Sequence, residues 1–149
     1  MTLRAAMAGD LERLYPLAVE FYSRSQFLRH FDLTRFTSCW TELLRQGTGR
    51  IFLLIDDSAQ IAGVLGGVVY PDLNNGELIA TEFFWYVADG VRGQGMKLYR
   101  AFEAWARERG CTQMRMVHLL DSMPGKLARV YTHLGYVPAE VHYVKELQI

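Results

Sequence analysis

The chain has 149 residues, half of them hydrophobic, which is enough for one core and makes a single domain over 1–149 the expectation. Sixteen basic and sixteen acidic residues give zero formal net charge, so no global field draws nucleic acid or an anionic membrane. Cys39 and Cys111 fit no metal or disulfide spacing, the N-terminus is no signal peptide, and the longest apolar run, 61–70, is too short to span a bilayer, so a cytoplasmic protein is expected.

Residues 1–5 read as a short strand. Gly9 and Asp10 then start a helix, capped by Asp10, whose stripe of Leu11, Leu14, Tyr15, Ala18, Phe21 and Tyr22 faces the core. A second helix over 32–46 repeats the pattern through Phe36, Trp40, Leu43 and Leu44, and Gly47 and Gly49 end it. Segments 50–55, 61–70 and 77–87 read as three strands joined by Asp56-Asp57-Ser58 and by the turn formers of 71–76, which gives two hairpins. Alternation on the last of them places Glu82, Phe84 and Tyr86 on one face, and Phe83, Trp85 and Val87 on the other.

The next helix carries Leu98, Phe102, Trp105 and Ala106 on one face and stops at Gly110. A strand over 113–118, a short helix over 124–134 closed by Gly135, and a last strand over 141–147 complete the chain. No internal repeat, low-complexity tract or linker interrupts this α/β unit.

The junction between Val87 and Leu98 carries the chemistry. A strand runs through Gly90, Gly93 and Gly95 into a helix, whose first-turn N–H groups have no partner inside the helix and attract phosphate. Arg92 and Lys97 add cationic side chains. The spacing is not that of a Walker loop, since the lysine comes one place late and Leu98 follows it where Ser or Thr belongs. Nor is it a dinucleotide fingerprint, because Leu98 stands where the third glycine is required.

Arg92-Gly93-Gln94-Gly95, after a strand ending in Val87, resembles the acyl-CoA pyrophosphate loop of the GNAT superfamily of N-acetyltransferases. The small residue that closes the family's pattern is Lys97 here. Val130-Tyr-Thr-His-Leu-Gly-Tyr136 resembles the family's second motif, in the same order and at the usual distance. The stretch 138–147 is also similar to small members encoded in phages and prophages.

The resemblance implies a mixed α/β (α+β) GNAT fold, with a central, mostly antiparallel sheet of about six to seven strands flanked by about four helices. It implies acetyl-CoA as co-substrate, bound by Tyr86, Val87, Arg92, Gly93, Gln94, Gly95, Met96 and Lys97, and acetyl transfer to a primary amine within a ternary complex. The acceptor is then a small molecule or a peptide, chosen by residues 21–35. Tyr131 would protonate the departing thiolate, since phenol and thiol affinities are close enough for useful transfer.

Glu82 is the candidate base, because a carboxylate among aromatics has its proton affinity raised by desolvation. His118, beside Asp121, is the second candidate, and a water relay a third. The family's asparagine seven places before the tyrosine is Pro124 here. Four scattered histidines, His30, His118, His133 and His142, form no ligand pair, so no metal is expected, and no Gly-x-Ser-x-Gly elbow is present. The reading from another class is a silent GNAT-like module that binds coenzyme A or a protein partner. The final strand offers an edge for a homodimer.

Overall fold

Five strands form one sheet in the order β1 (Thr2–Ala5), β2 (Gly49–Ile55), β3 (Ile61–Pro71), β4 (Leu78–Val87) and β5 (Gln113–Arg115) in the computed structural model, which describes residues 1–25, 31–91, 93–119 and 124–148. The first four strands pair antiparallel and β5 lies parallel to β4. Helices α1 (Tyr15–Ser23) and α2 (Leu33–Gln46) cover one face, packing Leu17 and Trp40 against Ile51, Leu53, Val64 and Phe84. Helix α3 (Gly95–Glu108) covers the other, burying Leu98, Phe102 and Trp105 against Leu54, Leu65 and Ala80. Helix α4 (Pro124–His133) follows β5. No helix among the described residues is long and apolar enough to cross a membrane.

The first helix starts later than its apolar stripe suggests. Two 3₁₀ turns, Ala8–Asp10 and Glu12–Leu14, precede it, and Pro16 stands in the first turn of α1, where a missing N–H costs nothing. Asp10 is therefore not the helix cap. It is buried, accepts from the N–H of Met7 at 2.9 Å, and takes both nitrogens of the Arg4 fork at 2.7 and 2.8 Å. Tyr15 lies outside the core and is exposed.

Two departures shape the site. The expected strand 113–118 ends at Arg115, because beyond Thr81 the side chain of Glu82, rather than the β4 backbone, meets the neighbouring chain. The expected strand 141–147 is absent: residues 136–148 pair with no strand among the described residues, and Val141, Tyr143 and Leu147 face outward. Among the described residues the sheet thus has five strands rather than six or seven.

A bulge is a further departure, and it too shapes the site. The β3–β4 register shifts between Gly66 and Gly67, so Gly66 faces Phe84 while Gly67 faces Glu82, and Phe83 is the extra residue. Alternation is broken there. Phe84 and Tyr86 stay on the α1/α2 face, whereas Glu82 shares the α3 face with Ala80, Trp85 and Val87.

Glycine is required opposite the bulge: a Cβ on Gly67 would lie 2.5 Å from the Thr81 carbonyl oxygen and 2.6 Å from the Phe102 ring. Gly67→Ala is expected to lower unfolding free energy by about 1–3 kcal/mol through overpacking. An unchanged urea midpoint with unchanged slope would show that the two strands separate freely at this point.

Candidate active site

Past Thr81, β4 is hydrogen-bonded on its β3 side only among the described residues, and a cavity of about 180 Å³ opens between β4, the chain following β5, and α4. Glu82, Val117 and Tyr131 meet in it, with Phe83, Trp85 and Leu127 around them. Phe21 of α1 and Leu119 complete its lining.

Glu82 reaches the cavity because the bulge turns it off the Phe84 face. Its side chain is 4% exposed, and its Oε2 accepts from the Val117 N–H at 2.9 Å. Burial among carbon atoms disfavours the charged form more than this one bond favours it, and the carboxyl is pushed up to about 7. Such a group exchanges a proton at neutral pH.

Tyr131 is held on α4 so that its hydroxyl donates to the Val117 carbonyl oxygen at 2.8 Å. Burial, and then the nearby charge of Glu82, raise its phenol above the ordinary range, so it keeps its proton at neutral pH. Its ring packs 6.5 Å from that of Trp85 and 5.6 Å from that of Tyr136. The Tyr136 N–H donates to the Tyr131 carbonyl at 2.9 Å, and Gly135, at φ 89°, allows that return. A single peptide residue, Val117, thus donates to the carboxylate through its N–H and accepts from the phenol through its C=O.

His118, the other base candidate, does not line this cavity, and its buried Nε2 has no hydrogen-bond partner among the described residues. Arg92, His30 and Asp121 lie outside the described residues, as do positions 26–30 of the acceptor segment.

The glycine-rich turn sits at the end of the same strand. Gly90 and Gly93 take left-handed φ values of 85° and 84°, and α3 begins at Gly95 with no side chain capping its first turn. The Oε1 of Gln94 is buried there with no hydrogen-bond partner among the described residues. A Cβ on Gly95 would lie 3.3 Å from Val87 Cγ2 and 3.5 Å from Trp85 Nε1, so the bare residue lets α3 close onto β4. Met96 is half-buried, and Lys97 is exposed to solvent.

Tyr86 points away from this turn. Its ring lies 5.4 Å from that of Phe21 and 5.7 Å from the Arg24 guanidinium, and burial pushes its phenol up to about 12. What Tyr86 offers on the turn side is backbone. Donors at an uncapped helix start, a bare glycine and an exposed lysine fit a diphosphate. Among the described residues no cluster of His, Cys, Asp and Glu could hold a metal ion.

Sequence reasoning missed Val117 and the Phe83 bulge. The adjacent Gly66-Gly67 pair is the signal of an interrupted strand, since glycine inside a strand often marks a bulge or a close backbone approach. Nothing in the sequence singles out Val117, because it acts through its peptide groups.

The sequence model of the acetyltransferase (GNAT) family matches residues 11–136. No curated protein sequence matches the chain significantly. Solved structures similar to it include ribosomal-protein-alanine N-acetyltransferase from Brucella melitensis biovar Abortus 2308, with TM-score 0.73 and 15% identity over 99% of this chain and 100% of that one. Glucosamine-6-phosphate N-acetyltransferase from Arabidopsis thaliana superposes with TM-score 0.74 and 14% identity, over 99% of this chain and 98% of that one. An aminoglycoside acetyltransferase from an uncultured soil metagenomic sample, in complex with sisomicin, gives 0.75 and 20%, over 99% and 96%. At these identities the likeness shows the fold alone.

Proposed function

The chain belongs to the GNAT acetyltransferase family, and from that premise we propose that it moves an acetyl group from acetyl-CoA directly to a primary amine, with Glu82 as base and Tyr131 as acid. The observation that carries this reading is the joining of the two groups through the single residue Val117, beside the open edge of β4.

The two groups are matched to two proton transfers. An alkylammonium must lose a proton before its nitrogen can attack, and Glu82, whose carboxyl is pushed up to about 7, accepts it. The C–N bond forms as the amine adds to the thioester carbonyl, whose oxygen is stabilised by backbone N–H groups between Trp85 and Val87 on the unpaired edge. The C–S bond then breaks as the nitrogen gives up its second proton to solvent, and Tyr131, its hydroxyl released from the Val117 carbonyl, protonates the thiolate and is reprotonated from solvent. The thioester donor is held by the turn before α3: Gly93, Gln94, Gly95 and Met96 present backbone donors to its diphosphate, and Arg92 and Lys97 supply positive charge. Val87 and the Tyr86 backbone line the approach.

Thiol release from acetyl-CoA, dependent on an added amine, tests the reading. Binding of the co-substrate is tested separately. At a hundredfold excess over its dissociation constant, acetyl-CoA is expected to stabilise the chain by about 2.7 kcal/mol. Because Lys97 stands in solvent rather than in the turn, Lys97→Gly should weaken binding and flatten its dependence on salt. No melting shift at millimolar acetyl-CoA would remove the phosphate assignment, whereas tighter binding by Lys97→Gly would mean that the lysine obstructs the turn.

A further inference from the structure

Two polar contacts among the described residues join α4 and the turn after it to the rest of the chain, and the reaction opens one of them. The first is the Tyr131 hydroxyl on the Val117 carbonyl, which must part before the phenol can reach a thiolate. The second lies just past the helix, where the hydroxyls of Tyr136 and Tyr99 share a hydrogen bond at 3.0 Å that either can donate. Burial raises both phenols above their ordinary range, so neither ionises near neutral pH and the bond persists. Tyr131 is the single buried side chain among those described on α4, so the angle of this short helix leans on these joints. While the proton moves, the Tyr99–Tyr136 bond is the polar joint still closed.

Tyr99 stands where the thioester donor is held. It follows Gly95, the start of α3 at the phosphate turn, by one helical turn, and its buried ring stacks at 6.0 Å on that of Trp85. The Trp85 ring lies 6.5 Å from that of Tyr131, and the Tyr136 ring lies 5.6 Å from Tyr131 and 6.4 Å from Tyr99, so rings from β4, α3, α4 and the turn after it close a circuit. The Tyr136 N–H, bonded to the Tyr131 carbonyl, makes those two tyrosines one unit. The donor is registered on α3 and the acid on α4. The separation between thiolate and phenol is therefore set across the Tyr99–Tyr136 joint.

We propose that Tyr99 and Tyr136 are positioning residues of acetyl transfer, whose shared hydrogen bond keeps Tyr131 in reach of the thiolate once its own bond to Val117 has opened. This rests on the reading that Tyr131 is the acid. Packing alone has no use for the hydroxyls: phenylalanine at both positions keeps the rings and leaves no buried hydroxyl unpaired.

Tyr99→Phe is expected to lower kcat by about 10–10²-fold, the scale on which a displaced catalytic group loses rate, with KM for acetyl-CoA near that of the parent because backbone groups of the turn bind the diphosphate. Tyr136→Phe should match it, and the variant carrying both changes should lose no more than either alone, since one bond is shared. In a Tyr131→Phe background, Tyr99→Phe should cost nothing further. Amide hydrogen exchange, read without turnover, should speed up about tenfold in Tyr99→Phe at Leu134 and Tyr136, whose N–H groups bond to the Val130 and Tyr131 carbonyls, and stay at the parent rate at Phe102 within α3.

Parent-like kcat in Tyr99→Phe, beside a slowed Tyr131→Phe, overturns the inference and leaves the acid reading standing. An equal loss in both backgrounds, or unaltered exchange at Leu134 and Tyr136, also overturns it and makes the pair a packing element. Parent-rate turnover by Tyr131→Phe removes the acid reading, and the inference with it.

Discussion

Tyr131→Phe is expected to lower kcat by about 10²–10⁴-fold with an accepted amine, the span that a positioned acid contributes. The ring and its packing against Trp85 and Tyr136 are kept, and the one group lost is the hydroxyl that donates to Val117. Stability should therefore fall by no more than about 0.5–1.5 kcal/mol, the net worth of one hydrogen bond. Acetyl-CoA affinity should stay near that of the parent, because the phosphate turn lies on another element. A fall in kcat and kcat/KM together, with binding intact, is the signature of an interaction made only in the transition state. Parent-like turnover would make Tyr131 a packing residue, with the proton supplied by solvent.

The order of the elements was legible because each has a local cause. Apolar runs bounded by turn formers drew β2, β3 and β4, and the buried stripe Leu98, Phe102 and Trp105 drew α3. Asp32, which caps α2 by accepting the Arg35 N–H at 2.9 Å, and Gly47, which ends it at φ 74°, mark their positions by residue type alone. Glu82 could be singled out because a carboxylate among aromatics is prone to desolvation, and Tyr131 because Val130-Tyr-Thr-His-Leu-Gly-Tyr136 resembles the family's second motif.

What was not legible depends on neighbours distant in sequence. The face on which Glu82 lies is decided by the bulge at Phe83, and so by how Gly66 and Gly67 pair across the hairpin. Period two then fails across one residue, enough to move a carboxylate to the other side of a sheet. Asp10 has the chemistry of a helix cap, but Arg4, brought near by β1, competes for it successfully. The end of β5 is set by a side chain of β4, and the segment 141–147 has the pattern of a strand but pairs with none among the described residues. Pattern reports which surface a strand would bury, not whether a partner edge exists.

Glu82→Gln is expected to cut the rate near pH 7 by about 10²–10⁴-fold and, at the same time, to make the protein more stable. Both follow from one displacement. In the folded chain burial moves the carboxyl from 4.5 up to about 7, so between those values the native state holds a proton that the unfolded chain has released. Stability contributed by the group is present in full below 4.5 and is lost as pH rises toward 7, by on the order of 3 kcal/mol for a shift of this size. Glutamine carries no charge at any pH and its Oε1 can still accept from the Val117 N–H, so the variant escapes that loss. Its stability advantage over the parent should grow from pH 4.5 to 7 and then level off. Catalysis shows the other side of the same titration: parent kcat/KM should rise through about pH 7 as Glu82 ionises. The variant should lack that limb and recover only at higher pH, where the amine, with an affinity near that of a lysine, sheds its proton to solvent. Unfolding curves and rate profiles taken on the same two proteins across this range decide the matter. A variant that keeps the parent's rise through pH 7 would assign the base to another group, and an advantage that does not grow with pH would mean that Glu82 is less desolvated than its burial implies.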